Sequence, residues 1–367
     1  MRAMSDTPGY LGRGGGSMEA LAPPTQCEQA LASGGRIYFG MPTGPAIQRD
    51  VPNIGRAPPR RPLRLLLSYF YYRDEDIQAL LSACFPDRKV DLFADSGAFS
   101  AFTTGTPVGL DGYAEWLNRW GHLFTCAAGF DVIGDPAATQ WATEELLRRV
   151  SCVQILPVFH LGEDPKYLQH WFGRTDYLAF GGMVPHSARP DFVAAWLRQS
   201  FAQLPPDVRV HGFGMTSWNT LKNFPWYSVD SSSWTAPFRY ASLPLFNSQR
   251  SAWEKLDMRD HRALLKAAPL LSEYRLRPSQ CHAGSYDRDL ICGASVEAWQ
   301  RAEEWLNKRR AKNNLYLSCG ALPMGGHGDG TATCVSNGMS VYLATISGDA
   351  PNSLPSISRS LKKKESP

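Results

Sequence analysis

Three aspartates close short runs of β-branched and aromatic residues: Asp95 in "VDLFADSG", Asp135 in "FDVIGDP" and Asp230 in "WYSVDSS". His160, the pair Gly181–Gly182 and His211 end three further runs, "VQILPVFHLG", "YLAFGGM" and "VRVHGFGM". A lone acid at such a place is most simply the N-cap of the following helix. Three of them around one rim point instead to a site, because paired carboxylates can divide nucleophilic and acid/base roles between them. The loop that holds Asp135 also holds Asp131, so either acid is a candidate there. His160 is open between a ligand contact and a structural hydrogen bond.

These residues need a scaffold that brings strand ends together. The runs above, with "LRLLLSYFYY" before them, alternate with amphipathic stretches such as "DEDIQALLSACF", "LDGYAEWLNRWGHLF", "TEELLRRV", "RPDFVAAWLRQSFAQL" and "SWNTLKNF". Seven strand–helix alternations predict a parallel sheet closed as a (β/α)8 TIM-like barrel, with its site at the C-terminal ends of the strands. After residue 245 the alternation fades, and "SAWEKLDMRDHRALLKAA" and "VEAWQRAEEWLNKRRAKNNLYL" read as added helices. Three segments follow: residues 1–60, mostly flexible with "GRIYFGMP" pairing locally; a barrel with its C-terminal helices over 61–322; and a low-complexity tail over 323–367.

The bulk properties leave several classes open and close others. With 367 residues and 43 % apolar content, the chain can bury one large core. A net charge of +4 permits a polyanionic partner without requiring one. No apolar run reaches the roughly 20 residues that cross a bilayer, so no membrane partner is expected. The eight cysteines are too dispersed for a disulfide scaffold, which fits a reducing cytoplasm. No CxxC pair occurs; zinc on Cys281, His282, Cys292 and Cys319 is the metal alternative, and spacing does not favour it. The basic run in "SRSLKKKESP" is most simply a solvated terminus.

"FADSGAFSAF", "FDVIGDPAAT", "FHLGEDPKYL", "YLAFGGMV" and "VHGFGMTSWNTLKNFPWYSVDSSSW" occur in the order of the tRNA-guanine transglycosylase motifs, and residues 64 to 235 resemble that superfamily. "DSGAFS", "PVFH", "GGMV", "HGFGMT" and "FPWYSVDSSSW" look most like the phage branch that places 7-deazaguanines in DNA. The Cys-x-Cys-x-x-Cys…His zinc pattern of the tRNA enzymes has no counterpart in the sequence.

The resemblance implies a DNA-guanine transglycosylase in the cytoplasm of a phage-infected bacterium. Its partners would be double-stranded DNA and a free 7-deazaguanine base such as preQ0, with tRNA the alternative polymer and a catalytically inactive nucleic-acid-binding barrel the non-enzymatic one. No cofactor is required. Asp230 would be the nucleophile, through an aspartyl-deoxyribose intermediate, and Asp95 the general acid/base. Asp135 would read the guanine edge, and Gly181, Gly182 and Met183 would approach its O6 through backbone N–H groups. Phe99 and His211 would sandwich the base, and Ser96, His160 and Gly212 would complete the pocket. Phe224, Trp226, Tyr227 and Trp234 are either barrel packing or a stacking surface for a flipped nucleotide. Ser231 to Ser233 read as turn and capping residues. Arg239, Arg250 and Arg288 are candidate phosphate contacts.

Overall fold

The computed structural model describes residues 35–41, 63–86, 88–215 and 217–312. In chain order the barrel elements are β1 (Arg36–Gly40), β2 (Leu63–Ser68), α1 (Tyr69–Tyr72), α2 (Ile77–Cys84), β3 (Val90–Asp95), α3 (Ala98–Thr104), α4 (Leu110–Trp120) and β4 (Cys126–Ala128). They continue as α5 (Pro136–Arg149), β5 (Gln154–Leu156), β6 (Val158–His160), α6 (Pro165–Gln169), β7 (Tyr177–Gly181), α7 (Pro190–Gln203), β8 (Arg209–Gly212), α8 (Trp218–Asn223) and β9 (Ser228–Ser231).

All nine strands pair in parallel, in the order β5-β4-β3-β2-β1-β9-β8-β7-β6. The two ends of that order, β5 and β6, are separated in the chain only by Pro157, whose carbonyl accepts a hydrogen bond from Ala179 N at 2.8 Å. A proline supplies no N–H to a ladder, so it interrupts one strand rather than separating two. The sheet is thus a near-closed parallel barrel, in agreement with the TIM-like expectation.

The period of two along each strand sorts the side chains. Ile37, Leu65, Leu67, Leu92, Ala94, Leu178, Phe180, Val210 and Val229 face outward and pack with helix residues such as Leu117, Leu146 and Leu197. Tyr38, Leu66, Phe93, Cys126, Leu156 and Tyr177 fill the barrel interior. The N-terminal pole carries charge: Arg64 pairs with Glu303 at 2.9 Å and lies 3.5 Å from Asp91, while Arg209 pairs with Asp176 at 2.5 Å.

Three local expectations are corrected. "GRIYFGMP" does not pair locally: β1 lies between β9 and β2, so the barrel begins at residue 36 rather than 61. The strand before the loop of Asp131 and Asp135 is "CAA" of β4, and "FDVIGDP" is that loop; an Asp-Pro pair starts a helix rather than ending a strand. "SAWEKLD" is not helical. Its core, Ala252–Asp257 (β11), pairs antiparallel with Ser242–Asn247 (β10), after the short helix α9 (Ala236–Tyr240).

This hairpin, α10 (His261–Lys266), α11 (Ala268–Glu273) and the first part of α12 (Arg288–Lys312) share a satellite core around Leu245, Met258, Leu271 and Ile291. α12 then crosses the barrel's N-terminal pole. There Glu303 accepts from Ile37 N at 2.9 Å, and Asn307 exchanges hydrogen bonds with Gly35 at 2.9 and 3.2 Å. Among the described residues no helix is long and apolar enough to cross a membrane. Cys281 and Cys292 are buried thiols, and no group of three metal-ligating side chains forms among the described residues; Cys319 and the 323–367 tail lie outside them.

Candidate active site

The alternation along β3 sends Asp91 to the N-terminal pole, Phe93 to the interior and Asp95 to the C-terminal mouth. Asp95 stands in register with Ser68 of β2, and its Oδ2 accepts from Gly97 N at 3.1 Å. Gly97 has φ +76°, and a Cβ there would meet Phe70 Cβ at 2.4 Å, so only glycine turns the chain this tightly beneath the carboxylate. Burial raises the Asp95 carboxyl to about 7; Asp131 and Asp230 add to the rise, against the Ser68 hydroxyl and the Gly97 amide. Asp95 thus lies within the field of both other acids.

Asp230 follows the same logic on β9, two residues beyond the interior Ser228. Gly214 N donates to its Oδ1 at 2.6 Å, from a turn in which Gly214 adopts φ +59°. His211 Nε2 lies 3.7 Å from the same oxygen, beyond hydrogen-bond reach. Burial lowers the His211 pKa, which keeps the ring neutral although Asp230 pulls the other way.

Of the two acids in the 130–136 loop, Asp131 joins the site. Its Oδ2 lies 3.4 Å from His160 Nε2, and the opposite ring nitrogen, Nδ1, lies 3.0 Å from Glu163 Oε1. Glu163 also accepts from His160 N at 2.9 Å, so one carboxylate holds both the backbone and the ring. Burial alone would lower the His160 pKa; the charges and hydrogen bonds of Asp131 and Glu163 outweigh it and raise the value to about 10. His160 is therefore an imidazolium between two carboxylates. Asp135 is instead exposed, and its Oδ1 accepts from Ala138 N at 2.9 Å as the N-cap of α5.

The remaining expected residues divide by the face they occupy. Gly181 faces the mouth in register with His160, where a Cβ would come within 2.8 Å of the imidazole Cδ2. Gly182 turns the chain at φ +73°. The Met183 side chain is buried in the outer core, which leaves only its backbone for the site. Ser96 is buried, with its hydroxyl 3.4 Å from Ala98 N at the start of α3. Phe99, on α3, is 53 % exposed and so presents a ring to solvent.

His211 and Gly212 do not stand where a base-binding role needs them. His211 is fully buried one layer below the mouth, against Phe93 at 4.5 Å, with Nδ1 2.6 Å from Ser228 Oγ. Phe213, two residues on by strand period, continues that inward-facing row; its ring meets His211 edge-on at 4.6 Å. Gly212 faces outward, and a Cβ there would meet Trp226 Cζ3 at 2.8 Å.

Phe224, Trp226, Tyr227 and Trp234 are all buried, which settles them as packing. Trp226 lies among Phe180 and Phe201, and Trp234 Nε1 donates to Gly40 O at 2.9 Å. Of the candidate phosphate contacts, Arg250 lies 3.3 Å from Glu254 and Arg288 lies over the Phe238 ring at 4.1 Å.

Glu163, Phe213 and the Gly214 amide are the site groups that the sequence did not single out. Each had a faint signal: an acid three residues past His160, an aromatic residue inside "HGFG", and a second glycine where a tight turn follows a strand.

No family model matches the chain, and no curated protein matches it. Solved structures with a similar fold include a putative fructose-1,6-bisphosphate aldolase from Coccidioides immitis. It is 13% identical, the match covers 78% of this chain and 92% of that one, and the TM-score is 0.34. Ligand-free and open forms of tryptophan synthase from M. tuberculosis match at 12% and 13% identity, over 77% of this chain and 100% of theirs, each with a TM-score of 0.33. At these scores the neighbours bear on neither substrate nor chemistry.

Proposed function

We propose that the chain is a base-exchange glycosyltransferase acting on nucleic acid, a DNA-guanine transglycosylase that replaces guanine with a 7-deazaguanine such as preQ0. The observation that carries this reading is the pairing at the barrel mouth. One carboxyl, Asp95, is held at about 7 by burial and by its acidic neighbours; the other, Asp230, is fixed by the Gly214 amide. Retaining exchange at an anomeric carbon needs a nucleophile and an acid/base of this kind.

In the first half-reaction an Asp230 oxygen attacks C1′ of the deoxyribose. The C1′–N9 bond breaks, and protonated Asp95 gives its proton to the departing guanine. Guanine leaves, and the sugar remains as an ester of Asp230. In the second half the incoming base loses its N9 proton to Asp95, its N9 attacks C1′, and the ester bond returns its electrons to Asp230. One glycosidic bond replaces another, so no external energy source enters the balance.

Asp131 takes the reading role that the resemblance assigned to Asp135, since Asp135 is engaged as the N-cap of α5. A carboxylate accepts from guanine N1–H and the exocyclic amine, and rejects adenine, which offers no such donor pair on that edge. His160 as imidazolium holds Asp131 in place. The ring left for stacking is Phe99, supplemented by Phe213. Because a duplex hides C1′ and the purine edge, the target nucleotide must leave the helix.

The experiment is exchange of radiolabelled guanine from double-stranded DNA and, in parallel, from unmodified tRNA, with free preQ0, for the wild type and Asp230→Ala. Label lost from DNA alone, and retained with the variant, is the expected result. Loss from tRNA alone would move the substrate to tRNA, and no loss from either would remove the enzymatic reading.

A further inference from the structure

A cavity of about 550 Å³, none of whose lining residues belongs to the catalytic constellation, opens in the segment that follows β9. One side is the segment Pro237–Ala241, which holds α9; the other is formed by Arg259, Ala283 and Tyr286. Its size falls in the roughly 300–1,000 Å³ range of ligand pockets. Among the described residues, two guanidinium groups and three aromatic rings line it, and the Asp257 carboxylate pairs with one of the two, Arg259.

Arg259 and Tyr286 are held in place by their neighbours, and Arg239 is left available. Arg259 is held by both oxygens of Asp257, at 2.9 and 3.2 Å. Arg239 lies 5.3 Å from the Tyr240 ring centroid and, among the described residues, has no acidic partner. Arg288 covers Phe238 at 4.1 Å and donates to Tyr286 OH at 3.2 Å, so the Tyr286 ring is held from its hydroxyl end. Position ties the cavity to the catalytic face. Pro237 is seven residues past Asp230, and between them Trp234 is pinned to Gly40 O at the C-terminal end of β1.

We propose that this cavity is a second subsite for the same polymer, taking the nucleotide next to the one whose base is exchanged. Arg239 and Arg259 contact its phosphodiester, and Tyr286 lies against its base. The inference rests on the nucleic-acid reading above. Guanidinium groups suit phosphate oxygens, and an aromatic face accepts any base without reading it.

The test is fluorescence anisotropy of a labelled single-stranded oligonucleotide between 50 and 200 mM salt, with wild type, Arg239→Gln, Arg239→Lys and Tyr286→Ala, and with GMP as competitor. For Arg239→Gln the expected result is about five- to tenfold weaker binding and a salt slope shallower by about 0.7, the value of one single-strand phosphate contact. Arg239→Lys restores the slope. Tyr286→Ala weakens binding about tenfold with the slope unchanged.

Wild-type affinity in both Arg239→Gln and Tyr286→Ala overturns the subsite while leaving the transglycosylase reading intact. GMP competing as tightly as the oligonucleotide, with the same variant sensitivity, overturns the strand contact in favour of a free-nucleotide pocket. If guanine exchange fails but Arg239→Gln still weakens the oligonucleotide, the subsite stands and the catalytic reading falls. Absence of any binding by the wild type overturns the subsite, while the transglycosylase reading is decided separately by the exchange assay.

Discussion

Asp95 is the titrating group on which the proposed chemistry turns, since it must give a proton in one half of the exchange and take one in the other. Exchange is therefore expected to peak near pH 7 and to fall on both sides, with Asp95→Asn slower by roughly 10²–10⁴-fold in kcat across the range. Its folded pKa lies above the ordinary 3.8, so the native state binds more protons between the two values. The Asp95 contribution to stability is thus lost as pH rises through that interval. Asp95→Asn should therefore be the more stable protein above pH 7, by about 1–2 kcal/mol after allowance for partial solvation of the carboxyl, and thermal melts at pH 5 and pH 8 read the difference.

His160 shifts in the same direction, over a higher pH interval and with its charged rather than its neutral form favoured. Its cationic form is stabilised, so its contribution is complete below about 6.5 and disappears as pH rises through about 10. Glu163→Gln removes one of the two charges responsible, and the imidazole should then titrate at lower pH, closer to neutrality. NMR of the ring protons would show this, and an unchanged titration would assign the cation to Asp131 alone.

At the scale of elements, a strand and its loop exchange roles between residues 126 and 136. A three-residue strand of small side chains, "CAA", carries almost no β signal, whereas "FDVI" carries a strong one; strand length and composition alone therefore point to the wrong segment. That displacement accounts for Asp135. As an N-cap, Asp135→Ala should lower stability by about 0.5–2 kcal/mol in urea denaturation and leave exchange intact. Asp131→Asn should instead raise the guanine KM by roughly a hundredfold, and it should also lower the midpoint at neutral pH because it takes away a charge that faces the His160 imidazolium. β3, β6, β7, β8 and β9 were legible because an acid, a histidine or a glycine marks the mouth end of each. The placement of His211 was not, since a motif names a residue while strand parity decides its layer. Counting by twos from Arg209 puts residue 211 in the interior and residue 213 further along the same inward-facing row.

The whole molecule is held by contacts between its sequence extremes. β1 sits between β9 and β2, and α12 reaches back across the N-terminal pole so that Glu303 meets both Arg64 and the Ile37 amide. Glu303→Gln leaves a buried guanidinium with half its partner, and about 3 kcal/mol of stability should be lost in the urea midpoint. None of this was written in the local pattern. "RIYFG" is a five-residue run beside glycine-rich sequence, and its status as a central strand depends on partners that lie 26 and 192 positions away.

That arrangement has a cost during synthesis. As the chain leaves the ribosome, β1 emerges first, and β2 can pair with it early, but the other edge of β1 waits for Ser228–Ser231 and the polar clamp waits for Glu303. Until then the nascent barrel is an open parallel sheet with two bare edges, a slow and aggregation-exposed species. Yield in the cell should therefore respond to translation speed and chaperone supply more than the stability of the finished barrel would suggest.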